Sequence, residues 1–141
     1  MEYLVEASNK KVQRYLGTLM PKMIEELGLA NSRRAVLVKV TRDTQNGMEG
    51  STQYLEFADC YLVLLRPPAR QTLASTIALS TTLAHEMVHV RQMAKGILKV
   101  TSKGTFWRGK KYTKSTPYLD QPWEQQAFGM QEIVFRRAIE T

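Results

Sequence analysis

One uninterrupted segment constrains the fold of this chain more than any other. Residues 72–94 contain neither proline nor glycine, and their apolar positions recur at helical spacing, which predicts a long helix. Both histidines of the 141-residue chain, His85 and His89, lie in this segment, four residues apart. Residues four apart lie on the same helical face, one turn along. The sequence therefore predicts a helix that carries two imidazoles on a polar stripe, together with Thr81 and Gln92.

The two histidines enclose the sequence His85-Glu86-Met87-Val88-His89, which matches the HExxH pattern. In this pattern two imidazole nitrogens bind one Zn²⁺ at roughly 2.0–2.1 Å. Glu86 lies on the adjoining face, where it can take a proton from water without binding the metal. The alternative is an amphipathic helix with two surface histidines. The position of the motif in mid-helix, on a polar stripe, favours the zinc site.

A third protein ligand is expected, because catalytic zinc usually has three and leaves the fourth position to water. No third histidine exists, so the candidates are a carboxylate or Cys60. We favour Glu124, near the start of the predicted last helix, where the small Ala127 would permit close approach of the two helices. Glu132 is the second choice, and Asp120 the third, since we expect Asp120 to cap that helix. The alternative role for Glu124 is a first-turn acid stabilised by the helix dipole.

The rest of the pattern predicts an α+β fold, in which helices lie on one face of a small mixed or antiparallel sheet. We expect residues 1–141 to form one metallopeptidase-like domain. Besides the HExxH helix, two helices are predicted, over 3–27 (interrupted at Gly17 and Pro21) and over 121–139. Strands are predicted over 35–41, 52–57, 60–65 and 97–100, with hairpins around Ala58-Asp59 and within 106–112.

The net charge of +7 indicates a surface that attracts nucleic acid or acidic proteins, although a merely solubilising surface is the alternative. Its basic clusters are Lys10-Lys11, Arg33-Arg34, the stretch from Lys99 to Lys114, and Arg136-Arg137. No apolar run approaches a membrane span, and no signal peptide is visible at the N-terminus, so we expect a cytoplasmic protein without a membrane partner. The lone Cys60 fits a reducing compartment and is expected to be a buried, inert thiol.

The order of His85, His89 and a later helix bearing Glu124 resembles the gluzincin branch of the zincin metallopeptidases. Over roughly residues 60–131 it is similar to minimal bacterial and phage metallopeptidases of the ImmA/IrrE type, with Phe128 where many of that group have asparagine. SprT-like domains share the HExxH motif but use a third histidine, which this chain does not have. The resemblance implies a zinc-dependent peptidase whose protein or peptide substrate adds as a strand to the sheet edge.

In the mechanism that this resemblance implies, Glu86 accepts a proton from water and delivers it to the leaving amine. The oxyanion needs a donor, for which we choose Tyr118 over Tyr112 and Arg108; packing on a loop is the alternative role for Tyr118. Gln92 would hold a ligand in place, unless it is a surface amide. The alternative function is a basic module that binds nucleic acid or protein and whose zinc site is structural or vestigial.

Overall fold

The computed structural model describes residues 1–140, apart from the side chain of Gln45, so the last residue of the predicted 1–141 domain lies outside the described residues. Its α+β architecture, with three helices and two small sheets, confirms the predicted fold class. The helices are α1 (Lys10–Glu26), α2 (Leu73–Ala94) and α3 (Pro122–Ile139). The strands are β1 (Tyr3–Glu6), β2 (Ala35–Val40), β3 (Gly50–Leu55), β4 (Cys60–Leu65), β5 (Leu98–Thr101), β6 (Gly104–Trp107) and β7 (Lys110–Tyr112).

The larger sheet is mixed and has the strand order β1-β2-β4-β3. Strands β1, β2 and β4 run parallel, whereas β3 pairs antiparallel with β4 in the predicted hairpin and forms one edge. The prediction that the first helix begins at residue 3 is wrong, because Tyr3–Glu6 forms β1. This short strand is held by pairing with β2, from Tyr3 opposite Val36 to Glu6 opposite Lys39. Because β2 lies about thirty residues later in the chain, the four residues of β1 carry no periodic pattern that would predict this pairing.

Helix α1 is continuous over Lys10–Glu26, although the sequence predicted interruptions at Gly17 and Pro21. Asn9 caps its N-terminus, since the Asn9 side chain accepts hydrogen bonds from two backbone N–H groups of the first turn, and the helix continues through Pro21. Its buried apolar side chains are Leu16, Leu19, Met20, Met23 and Ile24. We attribute the continuity to this burial, which offsets the hydrogen bond that a proline removes.

Helix α2 lies between the larger sheet and α3, and its two halves differ. Near its beginning, the apolar residues Leu73 and Ile77 are 78% and 43% exposed. From Leu83 to Val90 every residue is buried, including the polar residues of the HExxH motif. The predicted polar stripe therefore faces the interior of a cleft instead of open solvent. No described helix is both long and apolar enough to cross a membrane.

The smaller sheet is an antiparallel meander of β5, β6 and β7, inserted between α2 and α3. Gly96 (φ +73°) ends α2, and the amide of the next residue returns to the carbonyl of Gln92 at 2.9 Å. The predicted hairpin is confirmed, with Arg108 and Gly109 both at positive φ in its turn. This meander places Leu98 and Trp107 on its buried face, beside the end of α2.

The beginning of α3 differs in one detail from the prediction. Pro122 occupies the first turn as expected, but the N-cap residue is Gln121, and it makes no side-chain capping bond. Asp120 is not the cap, because it ends a short 3₁₀ turn over Tyr118–Asp120 and lies one position too early. Glu124 is the acidic residue of the first turn. A carboxylate there is favoured by the helix dipole and is also directed towards α2.

Candidate metal centre

Three side chains converge at the junction of α2 and α3. The Nε2 atoms of His85 and His89 lie 2.8 Å and 3.0 Å from Oε1 of Glu124. All three ligand atoms lie within 4.8 Å of one another, and both histidines are only 6% exposed. The predicted grouping of the two histidines with Glu124 is thus present, and it is positioned to hold a metal ion.

The other sequence candidates do not join this group. Cys60 is a free cysteine on β4 and is partly buried, less fully than predicted. Asp120 and Glu132 are exposed. Within residues 1–140, His85, His89 and Glu124 form the one cluster of His, Cys, Asp or Glu side chains with ligand atoms so arranged. The choice of Glu124 over the other carboxylates therefore agrees with the geometry.

The far side of each imidazole is held by a glutamine. Nδ1 of His85 lies 2.8 Å from Oε1 of Gln131, and Nδ1 of His89 lies 2.8 Å from Oε1 of Gln92. An amide oxygen accepts a hydrogen bond, so each Nδ1 carries a proton and each Nε2 is the ring nitrogen directed at the centre, where its lone pair could bind a metal ion. Two such nitrogens and one carboxylate oxygen form a donor set that suits a divalent transition metal.

Gln92 is itself fixed by α3. Its amide nitrogen donates to the backbone oxygen of Trp123 and to Oε1 of Gln126, both at 3.0 Å, and its side chain is fully buried. The expectation that Gln92 holds a ligand in place agrees with this geometry. Sequence reasoning missed Gln131, because the contact depends on how α2 and α3 are aligned. Neither helix encodes that alignment in its own periodicity.

Electrostatics couple the two helices at the centre. Burial alone would raise the pKa of Glu124, but its contacts with His85 and His89 outweigh burial and lower that pKa to about 2. Burial lowers the pKa of His89, yet the hydrogen bond and charge of Glu124 leave it raised overall. These opposite shifts favour a proton between His89 and Glu124. A bound metal ion would replace that proton, as metal binding generally requires.

Glu86 stands apart from the three converging side chains and is directed at strand β3. The hydroxyl of Thr52 donates to Oε1 of Glu86 at 2.7 Å, and Glu86 is only 6% exposed. Burial raises the pKa of Glu86, whereas His89 and Thr52 lower it by less. The carboxyl is therefore held beside the centre, with an affinity for protons above that of an ordinary glutamate.

Gly50 permits the close approach of β3 to Glu86. A Cβ atom at this position would lie 2.8 Å from Cγ2 of Thr82 and 3.0 Å from Oε2 of Glu86. The strand predicted over 52–57 begins after Gly50, and the sequence did not single out Thr52. A glycine just before a strand-like run can mark close backbone approach, so the signal was present for Gly50. Nothing in the local sequence identified Thr52.

Two cavities meet at Glu86. The larger, of about 560 Å³, lies on the His85 side, and the smaller, of about 200 Å³, lies on the His89 side. Their shared walls are Met48, Gly50, Glu86 and Tyr118. The larger is further lined by Ala78, Thr81 and Phe128, and the smaller by Leu98, Val100, Thr105 and Trp123. A ligand crossing the centre would therefore have space on both sides of it.

Tyr118 is the one of the three proposed oxyanion donors that lines these cavities. Its hydroxyl donates to Oε1 of Glu124 at 3.2 Å, and the side chain is 45% exposed. Burial and the charge of Glu124 raise the pKa of Tyr118 to about 12, so the hydroxyl keeps its proton. Tyr112 instead packs edge-on against Trp123, and the Arg108 guanidinium lies over the ring of Trp107.

Phe128 packs directly on the centre. Its ring meets the His85 ring edge-on, with 4.6 Å between the centroids, and lies 6.0 Å from the Tyr118 ring. The ring is 48% exposed and forms a wall of the larger cavity. An apolar side chain therefore stands at this position beside the His85 imidazole.

Comparison of the chain with protein-family models, with curated proteins and with solved structures finds no match. The likeness to zincins accordingly rests on the HExxH motif and on the geometry of the centre.

Proposed function

We propose that the protein is a zinc-dependent peptidase in which Glu86 is the general base. The observation that carries this proposal is the position of Glu86. Its carboxyl is buried beside the three converging side chains without being one of them, is held by Thr52, and opens on both cavities. A purely structural metal site has no use for such a group.

The donor set and the neighbouring Glu86 together support zinc as the metal. Two histidine nitrogens and one glutamate oxygen match the three-ligand pattern of catalytic zinc, which leaves one position open. When bound, Zn²⁺ would polarise the scissile carbonyl and acidify a water molecule. The residues that would hold it are His85, His89 and Glu124, with Gln92 and Gln131 orienting the two imidazoles.

The sheet edge supports a peptide as the substrate. Strand β3 forms an edge of the larger sheet and brings Gly50 and Thr52 beside Glu86. An extended peptide can pair with such an edge through main-chain hydrogen bonds, so that its scissile bond crosses the centre. The two cavities would then receive the side chains on either side of that bond. Apolar walls, which include Ala78 and Phe128, suit an apolar side chain in the larger cavity.

Proton transfer would be carried by Glu86. Burial raises the pKa of its carboxyl towards the working range of a base that must also serve as an acid. Glu86 would take the proton of the attacking water and deliver it to the leaving amine. The protonated hydroxyl of Tyr118 would donate a hydrogen bond to the developing oxyanion.

The decisive experiment is hydrolysis of a broad peptide library by zinc-loaded protein, with Glu86→Gln measured alongside. Loss of a general base costs about 10²–10⁴-fold in rate, and we expect at least that loss with zinc content unchanged. Glu132→Gln is the matched control, because Glu132 is exposed, lines neither cavity and is outside the three converging side chains. A chelator should abolish hydrolysis by the parent protein.

Two results would contradict this proposal. One is the absence of metal-dependent hydrolysis of any peptide in the library. The other is stoichiometric iron instead of zinc after unbiased metal loading, since two histidines and a carboxylate also bind non-haem iron in oxygenases.

A further inference from the structure

The positive charge of the chain is concentrated in one segment. Residues 87–119 contain eight lysines and arginines and no acidic residue. The remaining residues contain twelve basic and thirteen acidic side chains, so they are close to neutral. The net charge of +7 therefore comes from the end of α2, the smaller sheet and the chain that leads to α3.

Six of these cations lie on or beside the smaller sheet. They are Lys99, Lys103, Arg108, Lys110, Lys111 and Lys114, and all six are exposed. None of the six forms an ion pair with an acidic side chain of the described residues. The sheet thus presents a concentrated positive charge that no acidic side chain of the described chain neutralises.

The two faces of this sheet carry different residues. Successive side chains of a strand point to opposite faces. Leu98, Val100 and Thr105 line the smaller cavity, so they define the inner face. The outer face then carries Lys99 and Phe106, which stand directly opposite each other in the β5–β6 pair.

Lys111 completes a row across the outer face, because Phe106 is opposite Lys111 in the β6–β7 pair. A half-buried phenyl ring therefore lies between two lysines, on neighbouring strands that are about 4.8 Å apart. The stem of Lys111 lies over Gly104, where an added Cβ would meet its Cε at 3.1 Å. The row thus combines an aromatic platform with a cation on each side.

We propose that the outer face of the smaller sheet, with the row Lys99–Phe106–Lys111 at its centre, binds single-stranded nucleic acid. Proteins that bind single strands combine cations for the phosphates with aromatic rings on which bases stack. An acidic protein would use the lysines but gains nothing specific from an aromatic ring between them. The row therefore favours nucleic acid over an acidic protein as the partner.

This activity is separate from the proposed peptidase. The cleft uses the inner face of the sheet and the nucleic acid would use the outer face, so both can be occupied at once. Chelation of the metal and Glu86→Gln should each leave the affinity for nucleic acid unchanged. Failure of the peptidase proposal would consequently not be mistaken for failure of this one.

The test is fluorescence anisotropy of a labelled oligothymidine titrated with the full chain, at several salt concentrations. Single-strand binding weakens by about 0.7 in log K per log salt for each phosphate contact. Lys99→Gln combined with Lys111→Gln should therefore reduce the salt slope by about 1.4. Lys10→Gln combined with Lys11→Gln is the matched control, since this exposed pair lies on α1. The control should keep the parent slope.

Phe106→Leu separates stacking from charge. Loss of one base–aromatic contact weakens binding by roughly fivefold or more, and the salt slope should stay unchanged because no cation is lost. Unchanged affinity in Phe106→Leu would overturn the proposal, as would equal losses in the two double-lysine variants. Absence of salt-dependent binding, or tighter binding of an oligoglutamate peptide of the same length, would overturn it as well.

Discussion

The candidate metal centre and the smaller sheet are neighbours, yet their polar groups are arranged in opposite ways. In the centre, the polar side chains are buried and each has a partner, as the contacts of His85, His89 and Gln92 show. On the sheet, the cations are exposed and have no acidic partner among the described residues. Only in the centre does the fold supply internal partners for the polar side chains.

This difference separates two kinds of effect. A buried polar group whose partner is removed costs its full desolvation, so single substitutions in the centre should have large effects. An exposed cation is already solvated, so its replacement should affect stability little and act mainly on an external partner. Four predictions test this contrast, in order of decreasing effect.

The largest effect is expected from loss of a metal ligand. His85→Ala, His89→Ala and Glu124→Ala should each abolish stoichiometric zinc binding, as measured by elemental analysis after metal loading and dialysis. The matched control is Glu132→Ala, which removes an exposed carboxylate from α3, the helix that also carries Glu124. Full zinc retention in the His89→Ala variant would show that the three side chains do not form a metal site.

A smaller loss is expected when an imidazole loses its supporting contact. Such contacts typically contribute about 10- to 100-fold in metal affinity. Gln131→Leu should weaken zinc binding by about that factor, because Nδ1 of His85 loses its acceptor. Gln125→Leu is the control, since Gln125 lies on the same helix but bonds only the backbone of Leu119. Competition with a chromophoric chelator measures both variants, and equal affinities would refute the orienting role.

The third prediction concerns Glu86, the proposed general base, and no metal ligand is changed. Gly50→Ala places a methyl group against Glu86 and Thr82, and a displaced base should lower the hydrolysis rate by roughly 10- to 100-fold at constant zinc content. Gly17→Ala is the control, because a Cβ there meets nothing within 4 Å. Combining Gly50→Ala with Thr82→Ser removes the closer contact, so any remaining loss is due to Glu86. A parent-like rate in Gly50→Ala would show that the approach of β3 does not position the base.

The smallest effect is expected on the stability of the sheet variants. Lys99→Gln combined with Lys111→Gln should change the free energy of unfolding by no more than about 0.5 kcal/mol per substitution, as is usual for surface positions. Denaturant unfolding of the parent and the variant measures this difference. A clear destabilisation would mean that these lysines support the fold, and the contrast between the two regions would then fail.

The sequence was most informative where structure depends on neighbouring residues. The helix that carries the HExxH motif, the two hairpins and the helix after Asp120 were predictable from periodicity and turn residues. Composition excluded histidine as the third ligand, because the chain has only two. Glu124 was then preferred over Glu132 and Asp120 for its position near the start of the predicted last helix, which is also a local feature.

Features that depend on alignment between distant elements were missed. Strand β1 exists through its pairing with β2, and the contacts of Gln131 and Thr52 exist because α3 and β3 lie against α2. The cap at Asp120 was wrong for a local reason, since a 3₁₀ turn takes up that residue before the helix begins. Local sequence preference predicts which helix or strand a segment forms. The contacts missed here depend instead on how distant helices and strands pack against one another.

The separation of the ligands along the chain has a consequence for the lifetime of the protein. His89 and Glu124 are 35 residues apart, and a single ion bound to both would join α2 to α3 like a cross-link in a chain whose lone Cys60 cannot form an internal disulfide. A ligand at 100 times its dissociation constant stabilises the folded state by about 2.7 kcal/mol. The supply of zinc would then govern the resistance of the fold to heat and to proteases. Thermal melts with and without zinc would measure the resistance to heat.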